Sequence, residues 1–191
     1  MRQTRPLLAR PSVAFLFLLA VVVLGGALAL AVSRQRQDRL HCATGPAQWI
    51  WLTRDIGEER APLRFWAARD FDWGGGGTGP ARALIFVDRR YELFFNGASA
   101  GRGQQRPGSP LDLYDVSRLL RQGRNQIEVW AESPDGAGGI LFLLALPDGR
   151  AVASDRTWRV AGSEPGLVSE ARPAAVWGRP PMYPWGYPAL R

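Results

Sequence analysis

The residues best suited to ligand chemistry lie in predicted loops. Trp73 precedes the glycine run Gly74–Gly77, and a large aromatic ring beside a flexible loop can cover the C–H face of a pyranose. Arginine, tyrosine and glutamine side chains farther along the chain supply the donors and acceptors that sugar hydroxyls need. These polar candidates are Arg89, Tyr91, Arg102, Gln104 and Arg106. If the loops gather at one end of the domain, they form a shallow polar binding site; alternatively, Trp73 caps the core and the polar side chains are solvated.

Catalytic and metal-binding arrangements are poorly represented. His41 is the single histidine and precedes the predicted domain, which excludes a Ser/His/Asp triad inside it. One histidine and the lone Cys42 make neither a zinc site nor an internal disulfide. Glu128 and Glu132 share the polar side of one predicted strand, which favours a solvent-facing row over an acid–base pair. We therefore expect a protein that is not an enzyme and that has no cofactor or metal site.

Positive charge is concentrated near the N-terminus. The net charge is +7 over 191 residues. Residues 1–39 hold six arginines and one aspartate, whereas the remaining 152 residues hold 18 arginines and 16 acidic residues. The larger part is thus nearly neutral and lacks the basic surface that phosphate backbones require. No nucleic-acid partner is expected.

The larger part of the chain has the pattern of β structure. Short apolar stretches alternate with turns rich in Gly, Pro, Asp and Asn, and no segment has the long helical period of parallel α/β folds. The predicted strands are Trp49–Leu52, Leu63–Phe71, Ala81–Val87, Tyr91–Phe95, Ala98–Arg102, Leu111–Tyr114, Gln126–Ala131, Ile140–Leu146, Ala151–Ala153 and Thr157–Val160. The apolar Ile140–Leu146 is typical of a central strand. The predicted class is all-β, with two packed sheets.

Turns and tryptophans add detail to this prediction. Asn96-Gly97 favours a type I′ hairpin turn, and Pro147-Asp148-Gly149 favours a second hairpin. One or two helical turns are predicted at Val116–Gln122, with Asp115 capping the start and Gly123 ending the helix. Because tryptophan buries a large area, core or edge packing is expected for the five on predicted strands. They are Trp49, Trp51, Trp66, Trp130 and Trp158.

Val13–Val32 is a run of 20 residues without a polar or charged side chain. As a helix it would span about 30 Å, the thickness of a bilayer's hydrocarbon core. We expect residues 13–32 to be a transmembrane helix or uncleaved signal anchor, because cleavable apolar regions usually run about 7–15 residues. The alternative is a signal peptide cleaved after Ala27-Leu28-Ala29 or Ala29-Leu30-Ala31. In both interpretations the following domain is exported.

The anchor divides the rest of the chain. Residues 1–12 are expected to be a short cytoplasmic tail, 33–46 a tether and 47–164 a folded domain outside the cytoplasm. Arginines flank the apolar run on both sides, so the positive-inside rule discriminates poorly. The short N-terminal tail and the likeness to an export signal favour this orientation. The expected location is the inner (cytoplasmic) membrane, crossed once.

Residues 165–191 form a Pro/Trp-rich C-terminal tail. They hold six prolines and four aromatic residues. The stretch 180–186 is unsuited to a sheet interior, since proline has no amide donor. We expect the aromatics of this extended tail to pack on the domain, since free chains are poor in aromatic residues. The alternative is a polyproline ligand for a partner.

The order of motifs over about 47–160 is similar to that of a known family. The motifs are Ala47-Gln48-Trp49-Ile50, Arg64-Phe65-Trp66 leading to Phe71, Tyr91–Gly97, Tyr114–Ser117, Leu119-Leu120, Gly123, Asn125 and Asp155–Val160. This order resembles the galactose-binding-like β-sandwich (jelly-roll) domains that accompany glycoside hydrolases, such as the N-terminal accessory domains of α-L-rhamnosidases and β-galactosidase-type enzymes. The resemblance implies a jelly roll whose loops at one end bind sugar in some members. It does not imply hydrolysis, because the catalytic carboxylates of those enzymes lie in a separate barrel.

Two hypotheses follow from the sequence. The first is a non-catalytic, membrane-anchored module that recognises a glycan or envelope polysaccharide. The second is an envelope scaffold that docks a partner protein through the sandwich and the Pro-Trp tail.

Overall fold

A computed structural model describes residues 20–30, 43–54, 62–164, 167–168, 170–186 and 188–190. The chain divides into two units, Met1–Arg39 and Leu40–Arg191. Residues 20–30 of the first unit are helical. Among the described residues, no helix is both long and apolar enough to cross a bilayer. Residues 13–19 and 31–32 of the expected anchor, the cytoplasmic tail 1–12 and most of the tether lie outside the described residues, so the anchor stays a prediction.

The second unit is a sandwich of two antiparallel sheets. Sheet A contains β1 (Trp49–Trp51), β3 (Arg82–Val87), β6 (Asp112–Asp115), β8 (Ile140–Ala145), β9 (Ala151–Ala153) and β13 (Ala175–Gly178). Sheet B contains β2 (Leu63–Trp73), β4 (Arg89–Phe95), β5 (Ala98–Gln105), β7 (Gly123–Ser133), β10 (Arg159–Glu164), β11 (Leu167–Val168) and β12 (Arg172–Pro173). The predicted all-β, two-sheet class is confirmed.

On one side of the sandwich both sheets end in an edge strand, and we call this the open side. Sheet A runs β13-β1-β8-β3-β6, with β9 also paired to β8. Sheet B runs β11-β10-β2-β7-β4-β5, with β12 also paired to β10. The edge strands β5 and β6 therefore belong to different sheets, and they meet at the same side of the sandwich.

Strand β8 is central in sheet A and buried along its first five residues, as predicted. Successive side chains of a strand point to opposite faces, so β8 serves two cores. Ile140 and Phe142 belong to the large core between the sheets. Leu141 belongs to a second core on the other face of sheet A, with Trp49 and Trp185.

In the sequence, Ile127 and Val129 alternate with Glu128 and Trp130, which predicts a strand with one buried face, and β7 confirms it. Ile127 and Val129 are buried, whereas Trp130 on the opposite face is partly exposed. The hairpin between β4 and β5 turns at Asn96 and Gly97, whose φ angles of 53° and 81° match the expected turn. The β8–β9 hairpin forms as well.

One segment differs from its prediction, and a second agrees with it. Strand β5 continues to Gln105, although the sequence indicates a loop after Arg102. Its glycines lower strand propensity, but pairing with β4 holds the segment extended. The helical candidate is one 3-10 turn, Ser117–Leu119, preceded by Asp115, which accepts hydrogen bonds from the Ser117 amide and hydroxyl at 3.0 and 2.6 Å.

The C-terminal tail is part of the sandwich. Strand β12 pairs with β10 and β13 pairs with β1, so sheet pairing continues beyond residue 164, where the sequence analysis ends the domain. Trp185 is 7% exposed and stacks on Trp49, with ring centroids 4.4 Å apart. Its indole Nε1 donates a hydrogen bond to Asp88 at 2.8 Å. Tyr183 in the same turn is 92% exposed.

Replacing Trp185 with alanine tests whether the tail stabilises the fold. Trp185→Ala removes the stack on Trp49 and leaves the buried Asp88 carboxylate without its indole donor. We expect the free energy of unfolding to fall by about 3 kcal/mol, measured by urea denaturation of the full-length chain. The matched control Tyr183→Ala should stay within about 0.5 kcal/mol of the wild type. Equal effects of the two substitutions would contradict this placement of the tail.

Candidate functional site

The outer face of sheet B carries three exposed or half-exposed aromatic side chains. Trp66 on β2 and Trp130 on β7 are direct register partners. Phe94 on β4 completes the group, with its ring centroid 5.7 Å from that of Trp66 and a tilt of 46°. Trp66 is 37% exposed. We call Trp66, Phe94 and Trp130 the aromatic platform.

Charged and amide side chains border the platform in a row across the strands. Register pairs Arg64 with Glu132, Glu132 with Arg90, and Arg90 with Gln104. Glu132 lies 3.1 Å from the Arg64 guanidinium and 3.6 Å from that of Arg90. These partly exposed pairs orient the side chains more than they stabilise the fold, because water screens them. The next row runs from Trp130 through Glu92 to Arg102.

The platform opens into a hollow on the face of sheet B. The hollow has a volume of about 440 Å³. It is lined by Arg90, Tyr91, Glu92, Arg102, Gly103, Gln104 and Trp130. An apolar ring beside guanidinium, carboxylate and amide groups matches the two sides of a sugar ring, whose C–H bonds are apolar and whose hydroxyls both donate and accept.

A second recess, which we call the edge cleft, lies where β5 and β6 meet. Its volume is about 520 Å³. It is lined by Arg102, Gly103, Gln104, Leu111, Asp112, Leu113, Tyr114 and Leu190. Leu190 is placed there by the Leu111 amide, which donates to the Ala189 carbonyl at 2.7 Å. The segment 102–104 therefore lines both recesses.

A tyrosine–aspartate network lies under the edge cleft. The Tyr91 hydroxyl donates to Asp112 at 2.7 Å and lies 2.9 Å from the Tyr114 hydroxyl. Burial, followed by the hydrogen bonds to Tyr114 and Asp112, raises the pKa of Tyr91 well above its usual value near 10. The Tyr91 hydroxyl therefore keeps its proton at neutral pH and donates it in the hydrogen bond to Asp112.

Glycines on β5 provide the space for this network. A Cβ on Gly101 would lie 2.1 Å from the Tyr114 ring, and one on Gly103 would lie 2.6 Å from the Tyr91 ring. Both distances are far below van der Waals contact. Any larger residue at these two positions would displace a tyrosine.

The structure brings together three of the six candidate residues from the sequence. Tyr91, Arg102 and Gln104 line the hollow on sheet B, although Tyr91 is only 1% exposed. Arg102 and Gln104 do so from strand β5 and not from a loop. Arg106 is exposed in the turn that follows β5, where its amide bonds to the Ser109 hydroxyl at 3.1 Å.

Arg89 lies at the crossing from sheet A to sheet B. Its φ of 106° is unusual for a side chain with a Cβ. Its guanidinium contacts Asp88 at 3.2 Å and Asp135 at 3.0 Å. Burial raises the pKa of Asp88, partly offset by Trp185 and Arg89. Burial also acts to raise the pKa of Asp135, but bonds from Ser133 and Arg89 outweigh it and the pKa is lowered. Arg89 thus holds the crossing, and its contact with a ligand stays a prediction.

Trp73 lies at the opposite end of the sandwich from the other five candidates. Its register partner on β7 is Gly123, eight residues from Ala131, the partner of Tyr91. At about 3.3 Å per residue, the two sites are about 26 Å apart. Trp73 packs against the large core, and its indole Nε1 has no hydrogen-bond partner among the described residues. The expected gathering of all six residues at one end does not occur.

Trp66 and Trp130 are functional candidates that the sequence does not predict. Trp66 and Trp130 were expected in core or edge packing, as Trp49, Trp51 and Trp158 are found to be. The missed signal is their position, because both alternate with buried residues, Phe65 and Ala67 on β2 and Val129 and Ala131 on β7. Because successive side chains of a strand point to opposite faces, an aromatic residue between two buried residues lies on the solvent face.

The carboxylates on the face of sheet B are engaged by neighbouring donors. Among the described residues, no group of three or more His, Cys, Asp or Glu side chains could hold a metal ion. On the face of sheet B, Glu132 is paired with two guanidiniums and Glu92 accepts a hydrogen bond from Ser99 at 2.9 Å. Both carboxylates are thus held as acceptors.

The raised pKa of Tyr91 predicts a loss of stability at alkaline pH. Because the folded state holds this proton more tightly than the unfolded state, the free energy of unfolding should decline as the pH rises above about 10. Tyr91→Phe should decline less steeply over the same interval, measured by urea denaturation from pH 8 to 11. Tyr183→Phe, at an exposed site, is the control and should follow the wild type. Identical slopes for Tyr91→Phe and wild type would contradict the network.

Comparison with known proteins shows the fold. No protein-family profile matches the chain, and no curated protein matches it significantly. Among solved structures, the GH78 family rhamnosidase of Bacillus sp. GL1 has a TM-score of 0.65 and 26% identity, covering 78% of this chain and 20% of the rhamnosidase. The Pleurotus ostreatus lectin in complex with GalNAc has a TM-score of 0.60 and 26% identity, covering 75% of this chain and 45% of the lectin.

A Streptomyces avermitilis α-L-rhamnosidase, solved with L-rhamnose, has a TM-score of 0.63 and 22% identity over 77% of this chain and 16% of its own. The chain thus spans less than half the length of each of these proteins. The matched region is the two-sheet sandwich, in agreement with the order of motifs in the sequence. The second unit of this chain has the fold of a galactose-binding-like jelly-roll domain.

Proposed function

We propose that this chain is a non-catalytic carbohydrate-binding module of the cell envelope. The observation that carries the proposal is the aromatic platform beside Arg102 and Gln104 on the outer face of sheet B. In a soluble domain, aromatic rings on a sheet's outer face are costly to leave in water, and such patches mark binding surfaces.

The chemistry of the face favours a glycan over an apolar ligand. Trp130 is the register partner of Glu92, and Phe94 is the register partner of Glu128, so a ligand on these rings must satisfy both apolar and charged groups. A sugar ring does this by stacking its C–H face on an indole while its equatorial hydroxyls reach Arg90, Glu92 or Gln104. Arginine and carboxylate side chains provide the stronger, charge-assisted hydrogen bonds.

The similar solved structures support this proposal. The lectin from Pleurotus ostreatus was solved with GalNAc. The similarity covers only 20% of the Bacillus rhamnosidase. This small share is consistent with an accessory region of that enzyme, and it supports a non-catalytic role for the present protein.

The membrane tether is a further part of the proposal. Its support is the sequence of residues 13–32, which is long enough to span a bilayer as a helix. Tethered in this way as a single-pass protein of the inner membrane, the sandwich would lie outside the cytoplasm. There it would meet envelope polysaccharides.

An envelope scaffold is the second candidate function. Its specific support is Tyr183, which is 92% exposed in a turn anchored by the buried Trp185. Exposed tyrosines are frequent in protein interfaces. Trp185 and β13 are packed on the sandwich, which makes these parts of the tail unsuited to a freely extended polyproline ligand. A scaffold would therefore present Tyr183 to an envelope protein partner.

A glycan array with two matched variants tests the proposed function. We expect the full-length chain, in a detergent without a sugar headgroup, to bind members of an array of neutral polysaccharides and bacterial envelope glycans. Trp130→Ala should weaken binding at least about tenfold, because a tryptophan that stacks on a ligand is a typical hot spot. Tyr183→Ala should bind like the wild type.

Two results would count against the glycan proposal. Failure of the wild type to bind any glycan would remove it and leave the scaffold. Retained binding by Trp130→Ala would place the site elsewhere on the sandwich. Circular dichroism of each variant separates loss of binding from loss of fold.

A further inference from the structure

The hollow on sheet B and the edge cleft share part of their lining. The segment Arg102–Gly103–Gln104 lines both recesses, from the last strand of sheet B. Arg102 and Gln104 are exposed, and neither side chain makes a hydrogen bond or ion pair with the described residues around it. Two donor-rich side chains are thus free at the border between the recesses.

The route across the face is long compared with one sugar ring. Trp66, Trp130, Glu92 and Arg102 are successive register partners on four adjacent strands, β2, β7, β4 and β5. At about 4.8 Å between neighbouring strands, this row extends roughly 14 Å before the edge cleft begins. A single hexopyranose covers only part of that length.

Both ends of the route are open. Trp66 at one end is 37% exposed, and Leu113 in the cleft at the other end is 57% exposed. Leu190, which lines the cleft beside Leu113, is 56% exposed as well. A pocket for the terminal sugar of a glycan needs a wall that stops the chain, whereas a surface for an internal segment needs open ends.

We propose that the site binds the interior of a glycan chain, several sugar residues at a time, running across the strands from Trp66 over Arg102 to Leu113. This inference rests on the proposed carbohydrate-binding function and names its ligand class. Trp66 and Trp130 would stack on sugar rings in one half of the site. Arg102 and Gln104 would hydrogen-bond the residue that passes over the edge, and Leu113 would contact the next residue in the cleft.

A series of oligosaccharides of increasing length tests this inference. The probes are β-1,4-linked galactose, glucose and N-acetylglucosamine oligomers of one to six residues, titrated calorimetrically into the full-length chain in a detergent without a sugar headgroup. In the series that binds, affinity should rise at least about tenfold from monomer to tetramer and then level off, because each added residue meets a further part of the surface. Leu113→Ala should leave the affinity for short members unchanged and remove the gain from the longer ones.

The possible outcomes separate this inference from the proposed function. A monomer that binds as tightly as the hexamer would overturn the interior-chain site but retain carbohydrate binding. A gain with length that Leu113→Ala leaves intact would overturn the route into the cleft. If no member of any series binds although the array shows binding, the interior-chain site is overturned and carbohydrate binding is retained. If the array also shows no binding, both are overturned. Tyr183→Ala is the matched control and should reproduce the wild-type length dependence.

Discussion

The open side of the sandwich depends on a close approach between β5 and two tyrosines. Gly101 and Gly103 leave no room for a Cβ, and Tyr114 and Tyr91 fill the space in front of them. The tyrosine hydroxyls then meet each other and Asp112 between the edges of the two sheets. Because edge strands expose unpaired backbone groups, an open side needs a cover. Here side chains provide it.

This arrangement determines the shape of the candidate site. With Tyr91 and Tyr114 turned inward, β5 can present Arg102 and Gln104 outward without a bulky neighbour on the strand. Tyr114 lines the edge cleft and Tyr91 lines the hollow on sheet B, while Arg102 and Gln104 line both recesses. The C-terminal tail contributes Leu190 to the lining of the cleft, positioned by the hydrogen bond from the Leu111 amide to the Ala189 carbonyl. The site therefore uses residues from both sheets and from the tail.

Local patterns in the sequence predicted much of the fold. Three features that depend only on residues adjacent in the sequence are found in the structure. They are the alternation around Ile127, the apolar run of β8 and the Asn96-Gly97 turn. The sequence predicts the end of β5 too early because the residues after Arg102 are polar, as in a loop. The packing of its glycines against Tyr91 and Tyr114 is a tertiary contact that the sequence does not reveal. The tail was separated from the domain because prolines argue against strands, although at a sheet edge they are tolerated.

The candidate site was predictable only in part. Polar residues near Tyr91 were identified by chemical type, but their separation from Trp73 depends on strand order, which a single sequence does not contain. Core or edge packing is expected for Trp130 because tryptophan buries a large area, whereas its alternation with Val129 indicates the outer face. Residue position within a strand was thus the better guide than residue type.

The central claim is that ligand binds at the aromatic platform and not at the Trp73 end. Indole ¹H–¹⁵N spectra of the full-length chain report on all eight tryptophans at once, and Trp→Phe variants assign the signals. Titration with a glycan that binds on the array should shift the indole signals of Trp130 and Trp66, while those of the buried Trp49, Trp51 and Trp158 stay in place. Shifts confined to Trp73, with Trp130 and Trp66 unmoved, would contradict the account.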